Sequence, residues 1–529
     1  MNPTIVIISK NQRREFVLSS GFDENIYRAA ELTSNFFSRS HVHHFFPKNL
    51  CWAFYDRFFL DIGITLSKIE SLFGEIDQAD EVQCIDCPPD IINILETYAQ
   101  WKGKIFSKAP IEKRKKLIEL YTLLRIALAL LSLVKLAFLY KRKSTNKLVF
   151  LWTGDYLGNQ GYADPRLGEL EQKLIKDGYD IQYLIRTQGV SIKKIINNFR
   201  ARRGVGIYYD DLHILFPYNV ITPPQTSDFE EFIFVKKYLR SAEKMLFQID
   251  FWKSIFEKTK PLAFISWFYS SRTASLIGAA KQCGIPTIGF MHGVSVRSYM
   301  CHEFIKEFRG QAIGPDYFGT WSTWWKNYFI ENSSIYPREG IQVSGPLRPI
   351  KNSTKEKFEW TKGSLIKVFI VSEGHMNPEH LGPYIEKILH DNRFEITFKI
   401  RPFGRDAFWE KVKEFEPFNH KSIKISRESS PEAFINCDIV LGSHSTAVLE
   451  ALTIGKPIAL INTPKWGDYF SISQSNKRSQ FWIDSPESVV DSLIKIVEGN
   501  NMETINEMAV DYFGQGSATE WILKTLSNL

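Results

Sequence analysis

Cysteine is scarce: six in 529 residues, too few for a disulfide scaffold. The one CxxC, Cys84-Ile85-Asp86-Cys87, lacks the second pair a zinc ribbon needs. It reads as two ordinary thiols at a strand end, with a redox pair as the weaker reading. There is no P-loop, GxGxxG, HExxH or GxSxG, so the usual signatures of P-loop NTPases, dinucleotide dehydrogenases, zincins and α/β-hydrolases are missing. His41, His43 and His44 have no evident acidic or Cys partners, and no metal site is expected. Residues 1–10 hold only a short apolar run, Ile5-Val6-Ile7-Ile8, which reads as a strand and not as a secretory leader. The expectation is a cytoplasmic, reduced chain. What is present is ordinary globular material: 44% hydrophobic and 24% charged residues, with 40 Phe for large cores. The length suggests about three domains.

Acidic residues are nearly missing from one segment. Residues 101–150 carry 13 Lys/Arg against Glu112 and Glu119, a net +11, while the whole chain is +7. The remainder sums to −4, so this is not a nucleic-acid-coating protein, and no nucleic-acid partner is expected. The same segment holds the most apolar stretch, Leu117 to Tyr140, long enough to span a bilayer. Arg125 and Lys135 interrupt it about 80° apart on a helical wheel. Lys113-Arg114-Lys115-Lys116 and Lys141-Arg142-Lys143 flank it. The leading expectation is a membrane-interface helix on anionic lipid at the inner face of the plasma membrane, with both cationic heads kept in water. A buried linker helix and a true span are the alternatives; basic clusters at both ends argue against a span.

Residues 1–110 read as an accessory α/β region and 111–146 as the basic amphipathic helix. From residue 147 strands and helices alternate, which predicts parallel sheets covered on both faces. A polar connector at 351–363 separates a first Rossmann-like half (147–350) from a second (351–529), whose last helical stretch is placed to fold back across the cleft. In such sheets ligands sit at the carboxyl ends of strands, where helix N-termini point.

Asp438 to Pro457 (DIVLGSHSTAVLEALTIGKP) is the strongest local signal. An apolar strand ends at Gly442, and Ser443, His444, Ser445 and Thr446 form a small polar helix entry suited to a phosphate. Glu450 lies one turn in, on the Thr446 face, placed for ribose hydroxyls. His292 and Gly293 follow the strand Ile285–Phe290; His292 is the leading general-base candidate. Asp155, ending Trp152-Thr153-Gly154-Asp155, and Glu373, in Ser372-Glu373-Gly374-His375, are the other base candidates. Thr320 to Phe329 (TWSTWWKNYF) reads as core and cleft wall before sugar platform.

The series strand, Gly-Ser-x-Ser-Thr, helix with Glu, Gly-Lys-Pro, strand resembles the donor-binding half of GT-B glycosyltransferases. The resemblance is greatest to bacterial surface and capsular polysaccharide transferases and to relatives that transfer glycerol phosphate or Kdo-type sugars. IPTIGFMHGV at 285–294 and QVSGP at 342–346 add to it. It implies an α/β fold of two Rossmann-like domains facing a cleft. It also implies a metal-independent glycosyltransferase that moves a sugar from a nucleotide-sugar donor to a lipid-linked or oligosaccharide acceptor, with Gly345 at the inter-domain entry. Where many relatives carry His-Pro, this chain has Arg401-Pro402, a bidentate diphosphate partner. That favours a nucleoside-diphosphate donor over CMP-sugar, with no separate cofactor. An alditol-phosphate transferase, a UDP-amino-sugar 2-epimerase and a non-catalytic scaffold are the alternatives on the same fold. Soluble epimerases have no need of the +11 segment.

Overall fold

Short apolar runs set strands such as Thr4–Ser9, Leu148–Thr153 and Ile458–Ile461 in the three sheets of this computed structural model. It describes all residues except 1–3, 10–11, 19–22, 109–114, 142–146, 154–166, 186–205, 208–211, 213–220, 267–272, 292, 294–313, 334, 348–359, 362, 374–377, 401–405, 407, 415, 429, 464–466 and 500. The candidates Asp155, His292 and Arg401 lie outside the described residues.

The N-terminal sheet runs β2-β1-β3-β4, from β1 (Thr4–Ser9), β2 (Gln12–Val17), β3 (Glu81–Ile85) and β4 (Ile105–Lys108). Between and beside them lie helices α1 (Asp23–Ser38) and α2 (Pro89–Trp101). Cys84 is buried on β3, and burial pushes its thiol up to about 12, so it stays protonated. His43 bonds the Phe37 carbonyl oxygen at 2.7 Å, and His41 sits 2.6 Å from Glu231 Oε1; both tie structure together. Helix α3 (Lys115–Lys141) follows. Its Lys135 corrects the expectation of a water-facing polar edge. Nζ donates to the Gly206 carbonyl oxygen at 2.7 Å, and burial lowers the ammonium to about 8. Arg125 is half-buried too. The cationic edge therefore faces protein, and the apolar face is turned out.

The first half is a parallel sheet in the order β10-β9-β8-β7-β5-β6. Its strands are β5 (Leu148–Thr153), β6 (Asp180–Ile185), β7 (Ala263–Ser266), β8 (Thr287–Phe290), β9 (Tyr317–Thr320) and β10 (Ile341–Val343). Every residue of β5 is buried, as expected of a strand covered on both faces. Its helices include α4 (Gly168–Lys176), α5 (Phe229–Thr259), α6 (Ala274–Gln282) and α7 (Thr323–Asn332). Asp228 caps α5 by accepting from the Glu231 N–H at 3.1 Å.

The second half is a parallel sheet ordered β13-β12-β11-β14-β15-β16. It comprises β11 (Ile366–Val371), β12 (Phe394–Lys399), β13 (Lys424–Ser426), β14 (Ile439–Gly442), β15 (Ile458–Ile461) and β16 (Trp482–Ile483). Helices α8 (Pro378–Leu389), α9 (Thr446–Thr453) and α10 (Val489–Glu498) cover it. The chain ends in α11 (Met502–Met508), which packs on the second half, and α12 (Ala518–Ser527); from Asp511 onward the chain returns to the first half. There Trp325 Nε1 donates to the Tyr512 carbonyl oxygen at 2.7 Å, Ala518 N to the Pro346 carbonyl oxygen at 3.1 Å, and Trp521 Nε1 to Gln342 Oε1 at 3.0 Å. Trp321, Trp324 and Trp325 pack against Phe470, Tyr512 and Phe513, so the Thr320–Phe329 stretch is core joining the two halves.

Candidate functional site

Strand order reverses between β11 and β14, the switch point at which doubly wound sheets open a crevice. The carboxyl end of β11 delivers Glu373 there, and the end of β14 delivers Ser443 to Thr446. These two ends meet. Glu373 Oε1 accepts from the backbone N–H groups of Ser443 at 2.8 Å, His444 at 3.2 Å and Ser445 at 3.1 Å. The carboxylate thus sits where the N-terminus of α9 was expected to offer open donors to a phosphate. Helix ends favour a negative charge because their first N–H groups have no intrahelical partner, and this chain supplies that charge itself. Gly442 makes the approach possible: a Cβ there would stand 2.8 Å from Glu373 Oε1 and 2.5 Å from Val448 Cγ2.

Burial shapes the electrostatics. Glu373 is 3% exposed, and its carboxyl is pushed up to about 7 because loss of water outweighs the three N–H donors. His444 Nδ1 lies 3.2 Å from Glu373 Oε2 and 3.3 Å from Ser443 Oγ. Burial drops that imidazole to about 3, so it is neutral. Ser443 and His444 are therefore interior groups that build the turn, which corrects their reading as open substrate contacts. Ser445, Thr446 and Glu450 are half-buried. Ser445 Oγ caps α9 by accepting from the Ala447 N–H at 3.3 Å.

Two groups beside the turn were missed in the sequence. Lys399, the last residue of β12, is 5% exposed; burial lowers its ammonium, while Glu450 and Asp406 favour the charge. Asp406 Oδ1 accepts from Ser372 Oγ at 2.7 Å and from the Trp409 N–H at 2.9 Å, which ties Asp406 to the end of β11. A lysine closing the apolar strand FEITFK was the available signal. Buried charges are uncommon unless paired or used.

The halves touch at this place. Gly293, after β8, comes so close to α9 that a Cβ on it would lie 3.5 Å from Thr446 Oγ1. Trp321 Nε1 holds Met291, two residues earlier, by donating to its carbonyl oxygen at 3.0 Å. Gly345 does not join the site. With φ +78, it faces the turn before α12, where a Cβ would meet the Gln515 carbonyl oxygen at 2.6 Å. Its lack of a side chain serves backbone packing at the inter-domain entry. Among the described residues no group of three or more His, Cys, Asp or Glu is placed to hold a metal ion.

No family model matches the chain, and no curated protein matches it. Among solved structures it is similar to a glycosyltransferase from Rickettsia africae, at 12% identity over 73% of this chain and 98% of that one, with a TM-score of 0.45. It is also similar to S. aureus MnaA with UDP, at 10% identity over 72% and 96%, TM-score 0.44. A UDP-GlcNAc 2-epimerase from Neisseria meningitidis bound to UDP-GlcNAc gives 15% identity over 72% and 100%, TM-score 0.43. The fold itself is plain from the strand orders: two Rossmann-like parallel-sheet halves meeting at their carboxyl edges, the GT-B arrangement.

Proposed function

We propose that the protein is a glycosyltransferase that binds a nucleoside-diphosphate sugar on its second half and passes the sugar to an acceptor hydroxyl held by the first. The observation that carries this reading is the contact of two carboxyl-edge turns, Gly293 with Thr446, at the switch point of the second sheet. A donor lodged there would meet the half-buried Ser445 and Thr446 and the buried Lys399. These groups, with Arg401, are suited to the charge that grows on a leaving diphosphate. His292 and Asp155 are the proposed bases for the acceptor hydroxyl. Glu373 is reassigned from base to positioning residue, since three backbone donors already hold its carboxylate. The acceptor we propose is a lipid-linked or growing surface glycan, and no cofactor is invoked.

One observation favours a second reading, a scaffold that keeps the fold without the reaction: the anion cradle at the N-terminus of α9 is filled by the chain's own Glu373. A thermal-shift series with UDP, GDP, CDP and CMP separates the two. The transferase reading expects one diphosphate to stabilise the protein, by about 2.7 kcal/mol at a hundred times its Kd, and Lys399→Ala to weaken that effect. It then expects His292→Ala to slow donor turnover by about 100-fold or more. No shift with any nucleotide would sink it.

A further inference from the structure

We infer that the outward face of α3 is a docking surface for an anionic lipid bilayer, on which the helix lies flat. The helix turns Leu123, Ala127, Leu130, Val134, Ala137 and Phe138 to solvent. The four largest are 65%, 51%, 53% and 71% exposed, far more than apolar side chains of this size normally show. Their spacing of three and four residues puts them on one stripe, about 22 Å long at 1.5 Å per residue, with no charged residue on it.

The opposite face is committed to protein. Leu128, Ala129, Ser132, Leu136 and Leu139 are buried, and Lys135 is held by the Gly206 carbonyl oxygen. Only 28% of its most apolar 18 residues are buried although their mean hydropathy is 2.1. A helix crossing the bilayer would have lipid or other spans all round it. This one is anchored along one side to an α/β half, which fits insertion of a single face to the depth of the headgroup boundary.

Charge selects the occupant. Lys113-Arg114-Lys115-Lys116 precedes the stripe and Lys141-Arg142-Lys143 follows it. Anionic headgroups complement both ends while acyl chains take the stripe between. A second copy laid stripe to stripe would bring basic ends together in either orientation, and like charges there oppose it. The inference stands apart from the transfer reaction, because docking is measured without turnover.

The test is co-sedimentation of the full chain with vesicles of phosphatidylcholine alone or with about a third phosphatidylglycerol. Binding to the anionic vesicles is expected to be about tenfold tighter or more and to weaken with salt. L130E/V134E should lose at least about tenfold in partitioning with an unchanged melting curve. Leu130→Trp keeps the stripe apolar, and its emission should shift to the blue and be quenched by bromine-labelled acyl chains. Four results would overturn the proposal. They are no binding to either vesicle, an unquenched Leu130→Trp, a protein that resists alkaline carbonate extraction from membranes, or a dimer that L130E/V134E abolishes in sedimentation velocity.

Discussion

Glu373 and His444 are two buried titratable groups whose effects on stability have opposite sign. The Glu373 carboxyl rises from 4.5 to about 7 on folding. Between those values the folded chain keeps a proton that the unfolded chain has released, so its contribution is full below pH 4.5 and lost as pH rises through 7. His444 falls from 6.5 to about 3. There the unfolded chain takes up a proton that the folded chain refuses, so stability is lost as pH falls below 6.5. The two slopes oppose each other between pH 4.5 and 6.5. Glu373→Gln keeps one carbonyl oxygen for the three N–H donors and removes the falling limb. Relative to the parent, its stability is expected to rise with pH across that window by about 1–3 kcal/mol. Urea unfolding at closely spaced pH values reads this directly, and parallel curves for the two proteins would show that the carboxyl does not titrate there. None of it was legible at the residue scale. Ser443-His444-Ser445-Thr446 announces a polar helix entry, and Glu373 announces a carboxylate at a strand end. That one occupies the other follows only from the pairing of β11 with β14, a contact across some 70 residues of chain.

At the scale of elements, the strands were readable because a parallel strand buried on both faces has to be largely apolar, and β5, β7, β8, β14 and β15, buried along their whole length, carry at most one hydroxyl residue each. Edge strands left weaker traces: β2, mostly exposed, and the two-residue β16 had no such pattern. The wheel of α3 gave the angle between Arg125 and Lys135 but not which side faces protein, and water-seeking lysine heads were the wrong guide once a carbonyl stood opposite. The return of the C-terminal segment was legible as a helix and illegible as a lock. Gly514 and Gly516 (φ +86 and +91) let the turn before α12 press against Trp321 and Ser344, and Gly345 faces the same turn. Gly345→Ala therefore meets both a left-handed backbone and an occupied space. It is expected to destabilise the protein by about 1–3 kcal/mol and to speed hydrogen exchange selectively over residues 509–527. Exchange that rises evenly over both halves instead would mean that this turn is no separate lock.

At the scale of the whole molecule, α5 binds the accessory region to the first half. Its first turns carry Phe234 into the N-terminal region, where the ring stacks, tilts or sits edge-on against Phe36, Phe37, Phe46 and Phe58, with Tyr238 of α5 beside it. Arg39 reaches the same turns through Glu230 at 2.6 Å. Its last turns place Trp252 and Phe256 against Phe150 of β5. Residues 1–110 look self-contained in the sequence because their strands and helices are local. Their largest buried rings, however, find a partner nearly 200 residues later, and nothing in a run of Phe says which distant helix completes it. The consequence is shared stability. Phe234→Ala removes a fully buried ring and should cost about 3–5 kcal/mol. Because one helix serves both cores, the loss is expected to lower a single unfolding transition seen alike by probes in residues 1–110 and in the first half. Two separated transitions, with only the N-terminal probe displaced, would show that α5 transmits nothing between them and that the accessory region folds alone.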